Sequence, residues 1–430
     1  MGGTLVRGPL DATLRALRAS AEAAVDVEYT LALAPPVPAE GDAPRAAGDW
    51  VTALDGRLGP ACVVSGGADG RVLLWVGAVG KKGAAAPPLP SSPITAAVSH
   101  RGGVDAVATV VHPSGAGPAG LLLSAGKDGR VVLSLEPRLA AAASSSFSSS
   151  SPAPQAAGCI LTRYIGHSAA VTALAVAPAA ADRFASAGWD GLVRLWRCDA
   201  GAATDALAAA ADGPPAKKVR RGGGETGSGA GTTAAATEEE ARPALELDGH
   251  SQAVSALAWG GAGDASLVSG SWDHTLRRWD AEAGRVAATL HTGAAVFCVA
   301  VPPGPSGATL AAFGGAGGAV RLWDERSPGA SARVLASHGG WVASAAWHPT
   351  SAHLFATAGH DGAVKLWDVR AGENGYEAGG DDAAALPSPA LHTLGGCEGK
   401  VTAVAWAGPG RLVAGGEDGR VRAWDVAGAV

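Results

Sequence analysis

The chain is poor in several residue types, and each shortage removes a class of protein. Its 430 residues include only 5 cysteines, Cys62, Cys159, Cys198, Cys298 and Cys397, which lie far apart and form no CxxC pair. No zinc ribbon or redox motif follows, and a reducing compartment fits best. No run approaches about 18 uninterrupted apolar residues, so no membrane-spanning segment is expected. The opening "MGGTLVRGPLDATLRALRAS" lacks the apolar stretch of a secretory signal, and Val6 stands where a myristoylated chain carries Ser or Thr. Positive charge is not in surplus either: the net charge is −6, so no chain-wide coat for phosphate backbones is implied. The expectation is a soluble intracellular protein. Aromatic residues make up only 5%, yet 13 are Trp against 3 Tyr and 5 Phe. That bias points to Trp at a recurring structural position.

The recurrence is visible. "SGGADGRVLLW" (65–75), "SAGKDGRVVLS" (124–134), "SAGWDGLVRLW" (186–196), "SGSWDHTLRRW" (269–279), "FGGAGGAVRLW" (313–323), "TAGHDGAVKLW" (357–367) and "AGGEDGRVRAW" (414–424) are seven copies of one string. Their turn positions are Asp69, Asp128, Asp190, Asp273, Gly317, Asp361 and Asp418, and the closest neighbours are 44 residues apart. Each copy reads as strand, tight Asp-Gly-type turn, strand. Ahead of most copies runs an alternating stretch such as "AVTALAVAP", "AVSALAWGG", "WVASAAWHP" or "KVTAVAWAG", the period-two pattern of a strand with one buried face.

Three copies share a fuller set of residues. His167, Ser186, Asp190 and Trp196 have the same spacing as His250, Ser269, Asp273 and Trp279, and as His338, Thr357, Asp361 and Trp367. Ser, His and Asp are also the side chains of acyl-transfer catalysis. A nucleophilic site occurs once, however, whereas this set occurs three times with a Trp at fixed distance. A structural role is therefore expected, and no catalytic, cofactor-binding or metal-binding residue is assigned. "GGAGGA" (314–319) does not fit a dinucleotide loop.

Short antiparallel strands, a period near 44 and a Trp closing the third strand together resemble the WD40 family over roughly residues 45–430. The resemblance implies an all-β, seven-bladed β-propeller with one four-stranded blade per repeat. It also implies that each tetrad is a hydrogen-bonded chain inside its blade. Blades 2, 5 and 7 depart from the pattern in different ways. Blade 2 keeps His100, Ser124 and Asp128 but has Ser134 for Trp; blade 5 has Gly317 for Asp and no His; blade 7 has Cys397 for His and Ala414 for the hydroxyl. These blades are expected to rely on apolar packing more than on the network. The last strand ends near Trp424, too early for a full blade 7, so a segment within about 25–47 is expected to add the closing strand and remove two open edges.

Disordered insertions are expected at about 137–158, 199–243 and 371–389, where Ala, Gly, Ser and Pro dominate. The second contains "KKVRR", with Lys217, Lys218, Arg220 and Arg221, followed by "EEE" (Glu238 to Glu240). The basic run is either a nuclear import signal or a merely solubilising one. Arg194, Arg277, Arg321, Lys365 and Arg422 occupy one strand position and should lie around a ring rather than in a patch. Trp189 and Trp272 precede the turn Asp, and with Trp341 they are candidate partner-binding residues, the alternative being rim packing.

Taken in order, "VDVEYTLALAPP" (25–36), "GDWVTALDG" (48–56), the basic loop after blade 3, "LDGHSQAVSALAW" and "SHGGWVASAAWHPTSAHLFATAGHDGAVKLWDVR" resemble the WD40 ribosome-biogenesis factors of the PeBoW complex. The resemblance implies a non-enzymatic scaffold of the nucleolus and nucleoplasm, acting in pre-rRNA processing and maturation of large-subunit precursor particles. Its implied partners are pescadillo-like and block-of-proliferation-like proteins. Family members begin with a ubiquitin-like domain that docks the midasin-type ATPase. Residues 1–44 resemble only a remnant of that domain plus a linker, and about 35 residues cannot form an independent core, which leaves midasin docking open. The rival expectation is a generic WD40 adaptor, such as a ubiquitin-ligase substrate receptor or a chromatin-binding propeller.

Overall fold

The computed structural model describes residues 35–39, 49–60, 62–76, 90, 93–110, 120–136, 159–179, 182–198, 239–260, 264–304, 310–326, 332–372, 390–426. Among these the strands form seven sheets arranged as a β-propeller. Blade 1 comprises Val51–Asp55, Cys62–Gly67, Arg71–Val76 and Ile94–Ser99. Blade 4, the most regular, runs Val254–Gly260, Ser266–Ser271, Thr275–Asp280 and Arg285–His291, each strand antiparallel to the last. Every quoted string forms the second and third strands of its blade, and the alternating stretch before it forms the innermost strand. The Asp-Gly turns work because Gly70, Gly129, Gly191, Gly362 and Gly419 adopt positive φ, which costs a residue without Cβ little.

Blade 7 takes three strands from Val401–Trp406, Arg411–Gly416 and Val421–Asp425. Its outermost strand is Val37–Pro38, which pairs antiparallel with Val421–Asp425 in the register Val37↔Asp425. Arg411 strengthens this region: it is buried, its Nε donates to Asp425 at 2.7 Å, and its Nη1 donates to the Pro60 carbonyl of blade 1.

The core is divided among the seams between blades. Seven apolar clusters each draw on two neighbouring blades, as Val51, Val63 and Trp75 of blade 1 pack with Val413 and Val421 of blade 7. Where neighbouring strands approach closely, small residues leave room for the backbone. At Gly315 a Cβ would meet the Ala295 backbone oxygen at 1.8 Å. Gly315→Ala must push inner-strand backbone aside, and the expected loss is about 1–3 kcal/mol, measured as a lower thermal midpoint. Blade 4 has Ser271 at the equivalent place, accommodated by its hydroxyl donating to Ala253 O at 2.9 Å.

One expected insertion requires correction. The stretch expected to be disordered from about 199 to 243 ends in ordered structure: Glu239–Ala241 form a strand parallel to Cys159–Tyr164, making blade 2 five-stranded. The chain must return here to form the outer strand of blade 3, Leu245–Leu247, and blade 2 offers an unpaired edge on the way. Similarly, residues 371–372 complete a single 3-10 turn, Val369–Gly372. Residues 137–158, 199–238, 373–389 and 1–34 lie outside the described residues.

Candidate partner-binding face

The tetrads come together as hydrogen-bonded chains. In blade 4 the Trp279 indole N–H donates to Ser269 Oγ at 2.7 Å, Ser269 meets His250 Nε2 at 2.7 Å, and His250 Nδ1 meets Asp273 at 2.8 Å. Blade 3 repeats this through Trp196, Ser186, His167 and Asp190, and blade 6 through Trp367, Thr357, His338 and Asp361. One proton arrangement satisfies every atom: the Ser or Thr hydroxyl donates to Nε2 of a neutral ring, whose Nδ1–H donates to the carboxylate. Burial lowers the pKa of His250 and of His338 despite the adjacent carboxylates, which fits neutral rings. Burial also opposes charge on Asp273, but hydrogen bonds from Thr275 and His250 outweigh it and hold the carboxyl down to about 2.

This geometry also rules out these serines as nucleophiles. Ser186 and Ser269 are 0% exposed and Thr357 is 1% exposed. Each hydroxyl is capped by an indole, so no substrate carbonyl can reach it.

Two departures read differently in the structure. Blade 2 was expected to depend on apolar packing, yet His100 Nδ1 lies 3.0 Å from Asp128 and Nε2 2.8 Å from Ser124. Only the Trp link is lost there, and Ser134 instead donates to Leu122 O at 3.5 Å. Blade 5 has lost more than its Asp and His. Phe313 replaces the hydroxyl, and the buried Trp323 Nε1 has no hydrogen-bond partner.

The arginine four residues past the turn Asp, expected only as one of a ring of cations, is a member of the network. Arg194 is buried, and donates to Asp190 at 2.7 Å and Glu246 at 2.9 Å. Arg422 pairs with Asp418 in the same way in blade 7. Positive charge four residues past the turn Asp in blades 3, 4, 6 and 7 was the available signal, whereas blades 1 and 2 carry Leu73 and Val132 there.

The three singled-out tryptophans lie in one arc. Trp189 is 61% exposed, Trp272 40% and Trp341 49%. Trp189 contacts Trp272 with ring centroids 6.2 Å apart, Trp272 contacts Phe297 at 5.5 Å, Phe297 contacts Trp341 at 5.2 Å, and Trp341 stacks on His360 at 5.5 Å. The arc therefore crosses blades 3 to 6 without a break. Phe297 lies at an inner-strand position where no tryptophan stands, and His360 takes the same place before its turn Asp as Trp189 and Trp272 but is not a tryptophan.

Phe297 also lines the central channel, together with Thr52, Asp105, Thr172, Ser255 and Thr402. These are the second residues of the inner strands. Thr52, Thr172, Ser255 and Thr402 donate to the carbonyls of Val104, Val254, Val296 and Val51, fastening each blade to the next. Asp105 breaks that pattern with a carboxyl whose pKa burial raises, against the pull of Lys127 and His100. The channel holds about 190 Å³, below the roughly 300–1,000 Å³ of small-molecule pockets. Among the described residues no cluster of His, Cys, Asp and Glu is arranged to hold a metal ion. Lys217, Lys218, Arg220 and Arg221 lie outside the described residues.

Comparison with known proteins agrees with the blades. The model of the WD domain, G-beta repeat, matches residues 158–197, 241–280, 329–368 and 388–425. The chain is 33% identical over 333 residues to the ribosome biogenesis protein WDR12 homolog of Chlamydomonas reinhardtii, covering 75% of this chain and 64% of that protein. The homologs of the same name from Oryza sativa subsp. japonica and Arabidopsis thaliana are 27% and 29% identical, each over 75% of this chain and 63% of the relative. The chain thus spans somewhat less than two thirds of the length of these relatives. Its matched repeats are WD40 repeats, and over three quarters of its length it is similar to these ribosome biogenesis proteins.

Proposed function

We propose that the chain is a non-enzymatic scaffold in large ribosomal subunit biogenesis, needed for pre-rRNA processing and maturation of precursor particles within a PeBoW-like complex. The observation that carries this is the similarity to ribosome biogenesis proteins over three quarters of the chain. The structure supports it in two ways: the Ser/His/Asp sets are sealed inside blades, and an aromatic arc stands open to partners. Pescadillo-like and block-of-proliferation-like proteins are the proposed partners, in nucleolus and nucleoplasm.

The test is purification of the tagged full-length chain followed by mass spectrometry, with pre-rRNA measured after depletion. Both partner classes should co-purify, and large-subunit rRNA precursors should accumulate. Recovery of ubiquitin-ligase subunits or histones without pre-ribosomes would favour the adaptor alternative instead.

Localisation gives a second expected result. If "KKVRR" is the nuclear address, changing Lys217, Lys218, Arg220 and Arg221 to Ala should move the protein to the cytoplasm with an unchanged melting curve. Imaging the variant decides it: nuclear retention with partner binding abolished would remove the address reading.

A further inference from the structure

Blade 5 keeps the donors that surround a turn carboxylate and carries no carboxylate of its own. In blade 3, Asp190 accepts from Ser168 N at 3.2 Å, Leu192 N at 3.3 Å, Arg194 Nη1 at 2.7 Å and His167 Nδ1 at 2.9 Å. In blade 6, Asp361 accepts from Gly339 N at 2.8 Å, Ala363 N at 3.2 Å and His338 Nδ1 at 3.0 Å. Two backbone bonds fix the matching places in blade 5. Gly318 N donates to Gly315 O at 3.1 Å as Gly362 N donates to Gly359 O at 3.2 Å, so Gly317 corresponds to Asp361. Thr292 N donates to His274 O of blade 4 as His338 N donates to Gly318 O of blade 5, so Thr292 corresponds to His338. The donors that would face a carboxylate in blade 5 are therefore Gly293 N, Ala319 N and the Arg321 guanidinium.

Gly317 offers these groups no acceptor, and Thr292 Oγ1 is turned to His274 O at 2.9 Å and Ala294 O at 2.7 Å. A side chain at position 317 has room. Its Cβ would meet the Ala294 Cβ at 3.9 Å, an ordinary contact, and Gly317 lies outside the positive-φ region. Arg321 uses one N–H on Thr292 O at 3.1 Å. A guanidinium has five N–H groups, and a neutral carbonyl leaves its charge uncompensated.

The neighbouring blades add charge of the same sign. Arg194 and Arg422 pair with the turn Asp of their own blades. Among the described residues Arg277, Arg321 and Lys365, at the same strand position of blades 4, 5 and 6, form no ion pair. Arg277 has a buried Nε without a hydrogen-bond partner, and Lys365 donates to the Ser337 carbonyl at 2.8 Å. Three consecutive blades thus present cations unmatched by carboxylates.

We propose that the turn of blade 5 is a phosphate-binding site, in which Gly293 N, Ala319 N and Arg321 hold the oxygens of a phosphate group. Backbone amides that converge with a guanidinium suit this anion, because the planar fork matches its oxygens. Size and charge favour phosphate over a carboxylate. Thr292 is smaller than the histidine found there in blades 3, 4 and 6. A phosphate monoester carries about −1.5 to −2 charge on three oxygens, which suits three donors and a run of three cations. Inorganic phosphate and the 5′-phosphate end of an RNA share this chemistry. The site goes beyond the scaffold reading and does not depend on it.

The experiment is calorimetric titration of the full-length chain with inorganic phosphate at low salt, with acetate as the carboxylate control. Oligouridines with a 5′-phosphate and with a 5′-hydroxyl are measured in parallel by fluorescence polarisation. Phosphate should bind the wild type more tightly than acetate does, and Arg321→Gln should weaken it by about tenfold or more. Gly317→Asp supplies an internal carboxylate to the same donors, so it should abolish phosphate binding and melt higher than the wild type. Lys365→Gln should weaken phosphate by about two- to threefold, an effect that fades as salt screens it.

A 5′-phosphorylated oligouridine that binds better than its 5′-hydroxyl form, and loses that advantage in Gly317→Asp, would assign the site to RNA ends. Phosphate binding with the two oligouridines equal would assign it to the free ion. No titration of the wild type, or acetate as tight as phosphate, would overturn the proposal. Phosphate affinity unchanged in both Arg321→Gln and Gly317→Asp would overturn it too. If Arg321→Gln lowers the melting temperature, Gly317→Asp still decides, because it adds a partner and removes none. A lower melting temperature for Gly317→Asp would mean that the donors do not converge on position 317, and the site would fall.

Discussion

Asp273→Ala should lower the stability of the propeller by about 2–4 kcal/mol, whereas Asp69→Ala should cost less than about 1 kcal/mol. The difference lies in what each carboxylate holds. Asp273 accepts from His250 Nδ1 at 2.8 Å, from Ser251 N at 3.1 Å, and from Thr275 N and Oγ1 at 2.9 and 2.6 Å. His250 is buried, so removing its partner leaves a ring N–H inside the blade with Thr275 Oγ1 at 3.1 Å as its remaining neighbour. Asp69 sits on a turn where no histidine reaches it. It accepts from Arg71 N at 2.9 Å and pairs with the largely exposed Arg71 side chain. Water can replace both contacts. Calorimetric midpoints of the two variants, measured beside Asp273→Asn, check the argument. Asn keeps an acceptor oxygen and should recover part of the loss. Equal midpoints for the two Ala variants would mean that the network does not carry blade 4.

The blades themselves were legible because each repeat states the same physics again. Alternation marks the inner strand, Asp-Gly the turn, and Trp the end of the third strand. The tetrads could be read for the same reason: His167, His250 and His338 stand at one distance from their Asp. His100 stands further from Asp128 in sequence, and its network closes all the same. The longer loop is absorbed outside the hydrogen-bonded atoms, which spacing cannot show.

The arc was legible only in part. Trp189, Trp272 and Trp341 drew attention as tryptophans near turns, but Phe297 belongs to an inner strand, and His360, though it stands before Asp361 as Trp189 and Trp272 stand before their own Asp, is not a tryptophan. Their adjacency comes from the curvature of the ring, which sets different repeat positions of neighbouring blades side by side. The parallel strand Glu239–Ala241 was hidden for another reason. Its glutamates read as a solvated run, and its partner strand, Cys159–Tyr164, lies far back in the sequence in another blade. Backbone pairing at an open edge makes little demand on side chains, so composition gave no sign of it.

Acidification should destabilise the protein in two stages, and the sign follows from the direction of the shifts. Burial lowers the pKa of His250, His338 and His348, the last held neutral between Pro409 O and the Ser351 amide. A histidine whose folded pKa lies below its unfolded value of about 6.5 stays neutral in the fold while the unfolded chain takes up a proton. Its contribution is complete above that value and is lost as the pH falls through it. The carboxyls of Asp128, Asp190, Asp273 and Asp361 are also lowered, by hydrogen bonds that outweigh burial. Their contribution is complete above about 4 and is lost below it. Both sets act in the same direction, so the thermal midpoint should fall between about pH 7 and 5 and fall again below about pH 4. His348→Gln separates the first stage from general acid effects. The amide can still donate to Pro409 O but cannot titrate, so the variant should be less stable at pH 7 and show a shallower decline toward pH 5. A wild-type midpoint that is flat from pH 7 to 5 would mean that these histidines carry their protons inside the fold. The chain of donors from Trp through Ser and His to Asp would then have to be redrawn.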